Sequence, residues 1–384
     1  MIGQPPANGV HCPLLTMPRV SIIIPAYNRE SLLPSTLDSL CGQTFPDWEA
    51  IVVDDHSQDN TLEVALRYSR QDKRISVDKR EGDRKGANVC RRQGLDRARG
   101  DYVIFLDSDD LFAATCFERR VAEMDAAPDF DFGIYQTELF AETVGDMRVL
   151  WNTYTDVSDL HRFLSLDSVW SNAGPIWRRA ALQHLNGIDD QLPSFQDWDL
   201  SVRALVGGLK YFKIPVRDHF YRHGPKPVAA ISAVSCVNDR HLHSHEKLFE
   251  RTFTDLQAAH LLDQEARHRI TGLFWWLARR WLSISNAPEA HRVWHRTRDL
   301  GQSNRRHYWE GRIVLAFRLH TVRGGGRLAQ IIQWSWPLTY YRQFSEHLNR
   351  VPVTGPPAFI SGGPPSAGAR PNAEISRPAS RPPS

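Results

Sequence analysis

The stretch Val20-Ser21-Ile22-Ile23-Ile24-Pro25-Ala26-Tyr27-Asn28 decides the fold. Its first half is β-branched and apolar on both sides of the pleat, as in a strand buried on both faces, and it closes on a proline and a polar turn. Two further runs repeat the pattern. Ala50–Val53 is followed by Asp54-Asp55-His56-Ser57-Gln58-Asp59-Asn60-Thr61, and Tyr102–Leu106 by Asp107-Ser108-Asp109-Asp110. Between the runs lie segments of helical spacing, one marked by Leu32, Leu33, Leu37 and Leu40, the other around Ala87–Ala98. Buried strands alternating with helices predict an α/β fold with a mainly parallel sheet and flanking helices. Ligands on such sheets bind at the carboxyl ends of the strands, so the polar loops are where chemistry is expected.

Three strand ends bring at least five carboxylates to one edge of that sheet. Carboxylates placed so closely repel one another unless a cation or hydrogen-bond donors compensate them. Hard oxygen ligands suit Mg²⁺ or Mn²⁺, and either ion favours a diphosphate-bearing substrate. Asp54, Ser57 and Asp59 also admit a plainer reading as turn and N-cap residues. Asp107 and Asp109, directly after a buried strand, fit that reading poorly.

With these residues in view, the segment over 18–234 resembles the family 2 glycosyltransferases of the GT-A (Rossmann-like) fold. The resemblance rests on Val20–Asn28, Val53-Asp54-Asp55-His56-Ser57 and Phe105–Asp110 in order, with Gln43-Thr44-Phe45 and Arg99-Gly100-Asp101-Tyr102 between them. It implies transfer of a sugar from a nucleotide-diphosphate donor, commonly a UDP-sugar, with inversion and a divalent metal, Mn²⁺ or Mg²⁺. It further implies that Asp55 accepts a hydrogen bond from the base, in a pocket shaped by Pro25, Tyr27, Asn28 and Asp54. Asp107 and Ser108 would then contact the donor, and Asp109 would ligate the metal. Lys85 and Gly86 fall where the family places a basic residue and a glycine near the nucleotide, but Arg84 and Arg92 stand where asparagines are usual.

On the acceptor side, Gly187-Ile188-Asp189-Asp190 and Gln196-Asp197-Trp198-Asp199-Leu200 resemble the segment that carries the family's catalytic base. Asp197 matches the base, and Gln196 replaces an acidic neighbour. An N-cap role is the structural alternative for Asp197, while Asp199 reads as structural. Tyr221-Arg222-His223 resembles the element whose histidine completes the metal shell. Trp170 and Trp198 are candidates for the acceptor side. For Trp170, stacking on a sugar ring and core packing stand as equal readings.

The chain has 384 residues, and its net formal charge of +3 conceals an asymmetry. Residues 1–234 carry 26 Lys and Arg against 33 Asp and Glu; residues 235–350 carry 18 against 10. From Arg267 to Arg350 there are fifteen Arg and four acidic residues, and seven of the twelve Trp lie between Trp275 and Trp336. Helical spacing over 235–350 predicts a C-terminal α-helical appendage. Either it lies on an anionic membrane surface, or it packs on the catalytic domain with its Trp inside and its Arg paired to the acidic front, the reading we favour. Residues 1–17 read as a flexible leader and 351–384, with nine prolines, as a disordered tail. Five scattered cysteines without a C-x-x-C argue for a reducing compartment. With no signal-like N-terminus and no spanning apolar run, the expected location is cytoplasmic, with peripheral contact at the inner face of the cell membrane as a variant.

These readings converge on a metal-assisted, inverting glycosyltransferase. Its acceptor would be a glycan, a lipid-linked saccharide or a cell-surface polysaccharide precursor, and no motif points to nucleic acid. Two rivals are a nucleotidyltransferase, which needs no acceptor-side base, and a degenerate sugar-nucleotide-binding or membrane-docking protein without turnover.

Overall fold

A computed structural model describes residues 17–223, 238–300, 308–309, 311–312, 315 and 353. The proposed leader, apart from Met17, and the Pro-rich tail, apart from Val353, lie outside the described residues, as does most of 301–350. The decisive stretch forms strand β1 (Val20–Ala26), buried along its whole length. Successive side chains of a strand point to opposite faces, so Ile23 enters one core while Ile22 and Ile24 enter another. Ser21 is buried as well, but it donates to Glu49 (2.7 Å) and accepts from the Gly100 N–H (2.8 Å), so no polar group is stranded.

Parallel partners flank β1 on both sides: β2 (Trp48–Asp54), with β3 (Ile75–Lys79) beyond it, and β4 (Tyr102–Phe105). Helices α1 (Leu33–Cys41), α2 (Thr61–Gln71) and α3 (Ala87–Arg97) make the crossovers. Pro34 sits in the first turn of α1, where a missing N–H costs nothing. Gly94 lets α3 approach β1 closely, since a Cβ there would meet the Ile23 side chain at 2.5 Å.

Beyond β4 the sheet turns mixed. It continues through β5 (Leu111–Phe112), β6 (Phe132–Phe140), β7 (Val149–Leu150), β8 (Pro175–Arg178) and β9 (Tyr211–Arg222), in the order β3-β2-β1-β4-β8-β6-β9-β5 with β7 on β6. Strand β8 runs antiparallel to both β4 and β6, whereas β9 runs parallel to β6. Helices α4 (Cys116–Ala126), α5 (Asp159–Phe163), α6 (Arg179–His184) and α7 (Gln196–Val206) surround this half.

One fully buried ion pair ties the mixed half together. Arg120 on α4 forks onto Asp218 on β9 (3.0 and 2.6 Å), gives its other nitrogen to the Ala173 carbonyl, and lies over the rings of Phe112 and Tyr135. Removing one partner of such a pair leaves an uncompensated charge in the interior. Arg120→Ala is therefore expected to cost about 3–5 kcal/mol in urea unfolding. A loss under about 1 kcal/mol would mean that the site relaxes or hydrates.

The C-terminal segment forms helices α8 (Asp239–Ala258), α9 (Gln264–Ser283) and α10 (Ala287–Asp299). Their Trp275, Trp281 and Trp294 are buried in the same cluster as Ile23, Phe105 and Trp198. Their arginines are paired. Arg292 binds Glu246, Arg296 binds Glu250, and Arg251 reaches Asp189 and Asp199 in the acidic front. Over the described residues the tryptophans lie inside as the packed reading expects, while of these arginines Arg251 reaches the acidic front and Arg292 and Arg296 pair within the appendage. No described helix is long and apolar enough to cross a membrane.

Candidate active site

The carboxyl ends of β1, β2, β3 and β4 open on the same edge, because parallel register puts Ala26 beside Asp54, and Asp54 beside Lys79. The loop after β1 and the loop after β2 are knitted together. Asn28, with φ of 51°, accepts from the Gln58 N–H and donates its own N–H to Ser57. Asp59 accepts from Glu30 and Thr61, the turn role that its composition allowed. Asp54 accepts from the Ser57 N–H through Oδ2, while its buried Oδ1 has no hydrogen-bond partner. Pro25 is buried beneath this rim, and Tyr27 stands 42% exposed on it.

Asp55 is held more tightly than its implied role requires. One oxygen pairs with Arg80 and the other accepts from the Gly86 N–H (2.8 Å). A carboxylate oxygen carries two lone pairs, so a base N–H can still be accommodated. Gly86 needs its glycine: its φ of 120° is one that L side chains rarely adopt, and it opens helix α3. Lys85 beside it is exposed. Arg84 forks onto Asp190 (2.8 and 2.6 Å), and Arg92 donates to the Asn186 carbonyl (2.6 Å). Both departures from the usual motif thus join the donor-side helix to the acceptor-side segment.

After β4, the four residues Asp107-Ser108-Asp109-Asp110 divide by role. Asp110 is buried and pinned, accepting from the Arg222 N–H (2.9 Å) and from His219 (3.1 Å). Burial and the Arg120 charge push His219 down to about 3, so it stays neutral. Ser108 is buried too. Asp107 and Asp109 face arginines instead. Arg91 donates to Asp107, with Asn172 at 3.3 Å on the same oxygen, and Arg29 lies 4.0 Å from Asp109. The Nε atoms of Arg29 and Arg91 are buried without a hydrogen-bond partner.

Asp197 occupies the first turn of α7 and accepts from the Trp198 N–H (2.9 Å). Burial pushes its carboxyl above the ordinary range, Arg91 opposes that shift and Asp107 reinforces it. Tyr221 links the two sides. Burial first, then the charges of Asp110, Asp107, Asp109 and Asp197, push its phenol well above the usual value. Asp199 is structural, paired with Arg203 and Arg251.

The two tryptophans are core residues. Trp198 is 3% exposed and gives its indole N–H to the Phe163 carbonyl (2.7 Å); Trp170 is 4% exposed and gives its own to Ser201 (2.9 Å). Phe132, Phe163 and Tyr211 cover the Trp170 ring. Neither offers a face to a sugar, which corrects the acceptor-side assignment of both. Arg29, Arg91 and Tyr221 were missed as site residues. Arg91 lies beside Arg92 in the helical segment around Ala87–Ala98, and Tyr221 opens the Tyr221-Arg222-His223 element, where only the histidine was given a role.

Whether these residues fit a divalent metal follows from the donor set. Asp107 and Asp109 supply hard oxygens at the rim, but among the described residues no group of three His, Cys, Asp or Glu side chains is spaced to hold a metal. His223, just past the end of β9, makes no such trio with them, and its backbone N–H goes to the Phe140 carbonyl (2.6 Å). The described side chains alone therefore offer a divalent ion at most the two rim carboxylates, Asp107 and Asp109, which leaves several positions of an octahedral shell to other oxygens.

An α/β sheet with acidic strand ends, a basic rim and a desolvated aspartate opposite gathers its polar groups where ligands bind on such sheets. The family model for glycosyl transferase family 2 matches residues 21–154. EpsH of Bacillus subtilis is 38% identical over 252 residues, which is 61% of this chain and 72% of EpsH. The chain belongs to glycosyl transferase family 2. It is also 40% identical over 105 residues to WfgD of Escherichia coli, a UDP-Glc:alpha-D-GlcNAc-diphosphoundecaprenol beta-1,3-glucosyltransferase, covering 27% of this chain and 40% of WfgD. The chain thus spans less than half the length of that relative, and likewise of TuaG of Bacillus subtilis (42%). Among solved structures, residues 1–349 of Staphylococcus aureus TarS in complex with UDP-GlcNAc align with a TM-score of 0.53 at 16% identity, over 79% of this chain and 93% of that one. At that identity the likeness shows a shared fold.

Proposed function

We propose that this chain transfers a sugar from a nucleotide-diphosphate donor, a UDP-sugar, to a hydroxyl of a lipid-linked or polysaccharide acceptor, with inversion. The observation that carries the reading is Arg91, which donates to Asp107 on the donor side and whose charge also acts on the Asp197 carboxyl of the acceptor side. The names of WfgD and the TarS complex support a UDP-sugar and, for WfgD, a lipid-linked acceptor.

In this reading the base of the donor lies over Tyr27, with Asp55 accepting its N–H on a remaining lone pair and Asp54 shaping the pocket beneath. Arg29 beside Asp109 and Arg91 on Asp107 bring positive charge to the diphosphate side, near the positive end of α3. A divalent metal, for which Asp109 and His223 are the candidate ligands, would supply charge stabilisation to the diphosphate. Asp197 takes the proton of the acceptor hydroxyl as its oxygen bonds the anomeric carbon and the bond to the departing diphosphate breaks on the opposite face. A raised pKa suits a base that must hold a proton through that step.

A panel of nucleotide sugars tested by thermal shift with Mn²⁺ checks the donor class. At 100 times its dissociation constant, the right donor stabilises by about 2.7 kcal/mol, and UDP-sugars should stand out. Equal responses to UDP-, GDP- and ADP-sugars would contradict the donor reading.

A further inference from the structure

The turn that leads into Asp197 is held from the C-terminal segment. Ser194 is buried, and its Oγ lies 2.8 Å from His241 Nδ1 and 2.9 Å from His245 Nε2, both on α8. His245 is fully buried, and its Nδ1 has no partner. An orphaned N–H in the interior costs more than a bare lone pair, and this selects the tautomer. His245 donates Nε2–H to Ser194, and the Ser194 hydroxyl donates to His241 Nδ1. Burial pushes His245 down to about 3, so the chain of hydrogen bonds keeps one proton arrangement at physiological pH.

The next residue is under strain. Phe195 has φ of 66°, in the left-handed region that a bulky L side chain seldom adopts. Its ring packs 4.3 Å from the His245 imidazole and 5.8 Å from Trp276 on α9. Such a conformation persists only where its surroundings over-determine it. Phe195 is the residue before α7, and Asp197 follows two positions later. Further along α8, Arg251 grips Asp189 (2.8 Å) and Asp199, on either side of Asp197 in sequence. One helix therefore holds the 189–199 segment at three points.

We propose that Ser194 and His245 are positioning residues for Asp197: through them α8 fixes the strained turn at Phe195 and so the direction of the Asp197 carboxylate toward the acceptor hydroxyl. This rests on the assignment of Asp197 as base, and it gives the C-terminal segment a part in catalysis besides packing.

The test uses the full chain with two readouts. UDP release is followed from UDP-glucose and from UDP-N-acetylglucosamine with Mn²⁺ and water as acceptor, and hydrogen exchange is followed at the amides of 195–199. Ser194→Ala is expected to lower kcat at least about tenfold with the donor KM within about twofold, since a misplaced base weakens the chemical step and not donor binding. Exchange at 195–199 should rise at least about tenfold while the amides of β1 and β2 keep their protection. Ser194→Thr retains the hydroxyl and should restore both. Wild-type kcat and exchange in Ser194→Ala would overturn the proposal. So would a parallel loss of kcat and exchange protection across the whole chain, which marks a structural role only. Should the wild-type chain release no UDP from either donor, the transferase reading fails, while the exchange comparison still decides whether Ser194 holds the turn.

Discussion

Asp197→Asn is expected to bind a UDP-sugar within about twofold of the wild-type chain and to turn it over about 10²–10⁴-fold more slowly, the range that a positioned general base contributes. The substitution keeps the size and the first-turn contact to the Trp198 N–H, but it removes the group that accepts a proton. Because burial raises the Asp197 pKa, the acidic limb of the wild-type pH–rate profile should lie above the ordinary aspartate value. Below that pKa the carboxyl is protonated and the base is lost; above it, activity reaches a plateau. Steady-state kinetics with the two forms side by side checks both statements. Turnover retained in Asp197→Asn would assign the base elsewhere.

Asp109→Ala should abolish Mn²⁺-dependent donor binding in a calorimetric titration, with at least about a hundredfold loss of affinity. Ligands that hold a metal directly are worth at least as much as their outer partners, whose removal costs about 10–100-fold. The fold itself should survive. Asp109 is partly exposed beside Arg29, whereas its neighbour Asp110 carries the structural contacts to Arg222 and His219. Unchanged Mn²⁺-dependent binding would remove Asp109 from the metal site.

The early strands were legible because β1, β2 and β4 are short apolar runs buried on both faces, and nothing else reads that way. Strand β3 was not, since Ile75-Ser76-Val77-Asp78-Lys79 mixes apolar and charged residues at the sheet edge. Beyond residue 111 the local signal fades for a physical reason. Strands of two residues carry no pattern, and buried polar groups such as Arg120, Asp218 and His219 read as surface until their partners arrive from a hundred residues away. The same holds at the site. Asp107, Asp109 and Asp197 sit in short motifs, whereas the charges that raise the Tyr221 phenol come from two segments far apart in sequence. Trp170 and Trp198 were acceptor-side candidates, and of the two readings open for Trp170 the burial favours core packing over sugar stacking. The charge asymmetry resolves in part: Arg251, Arg292 and Arg296 spend their charge on carboxylates of this chain.

The most direct measurement is UDP release from UDP-glucose or UDP-N-acetylglucosamine by the full-length chain with Mn²⁺, run beside Asp197→Asn. The account predicts release that the substitution suppresses by two orders of magnitude or more while donor binding persists. Donor that stays intact with the wild-type chain, or equal release by both proteins, would contradict it.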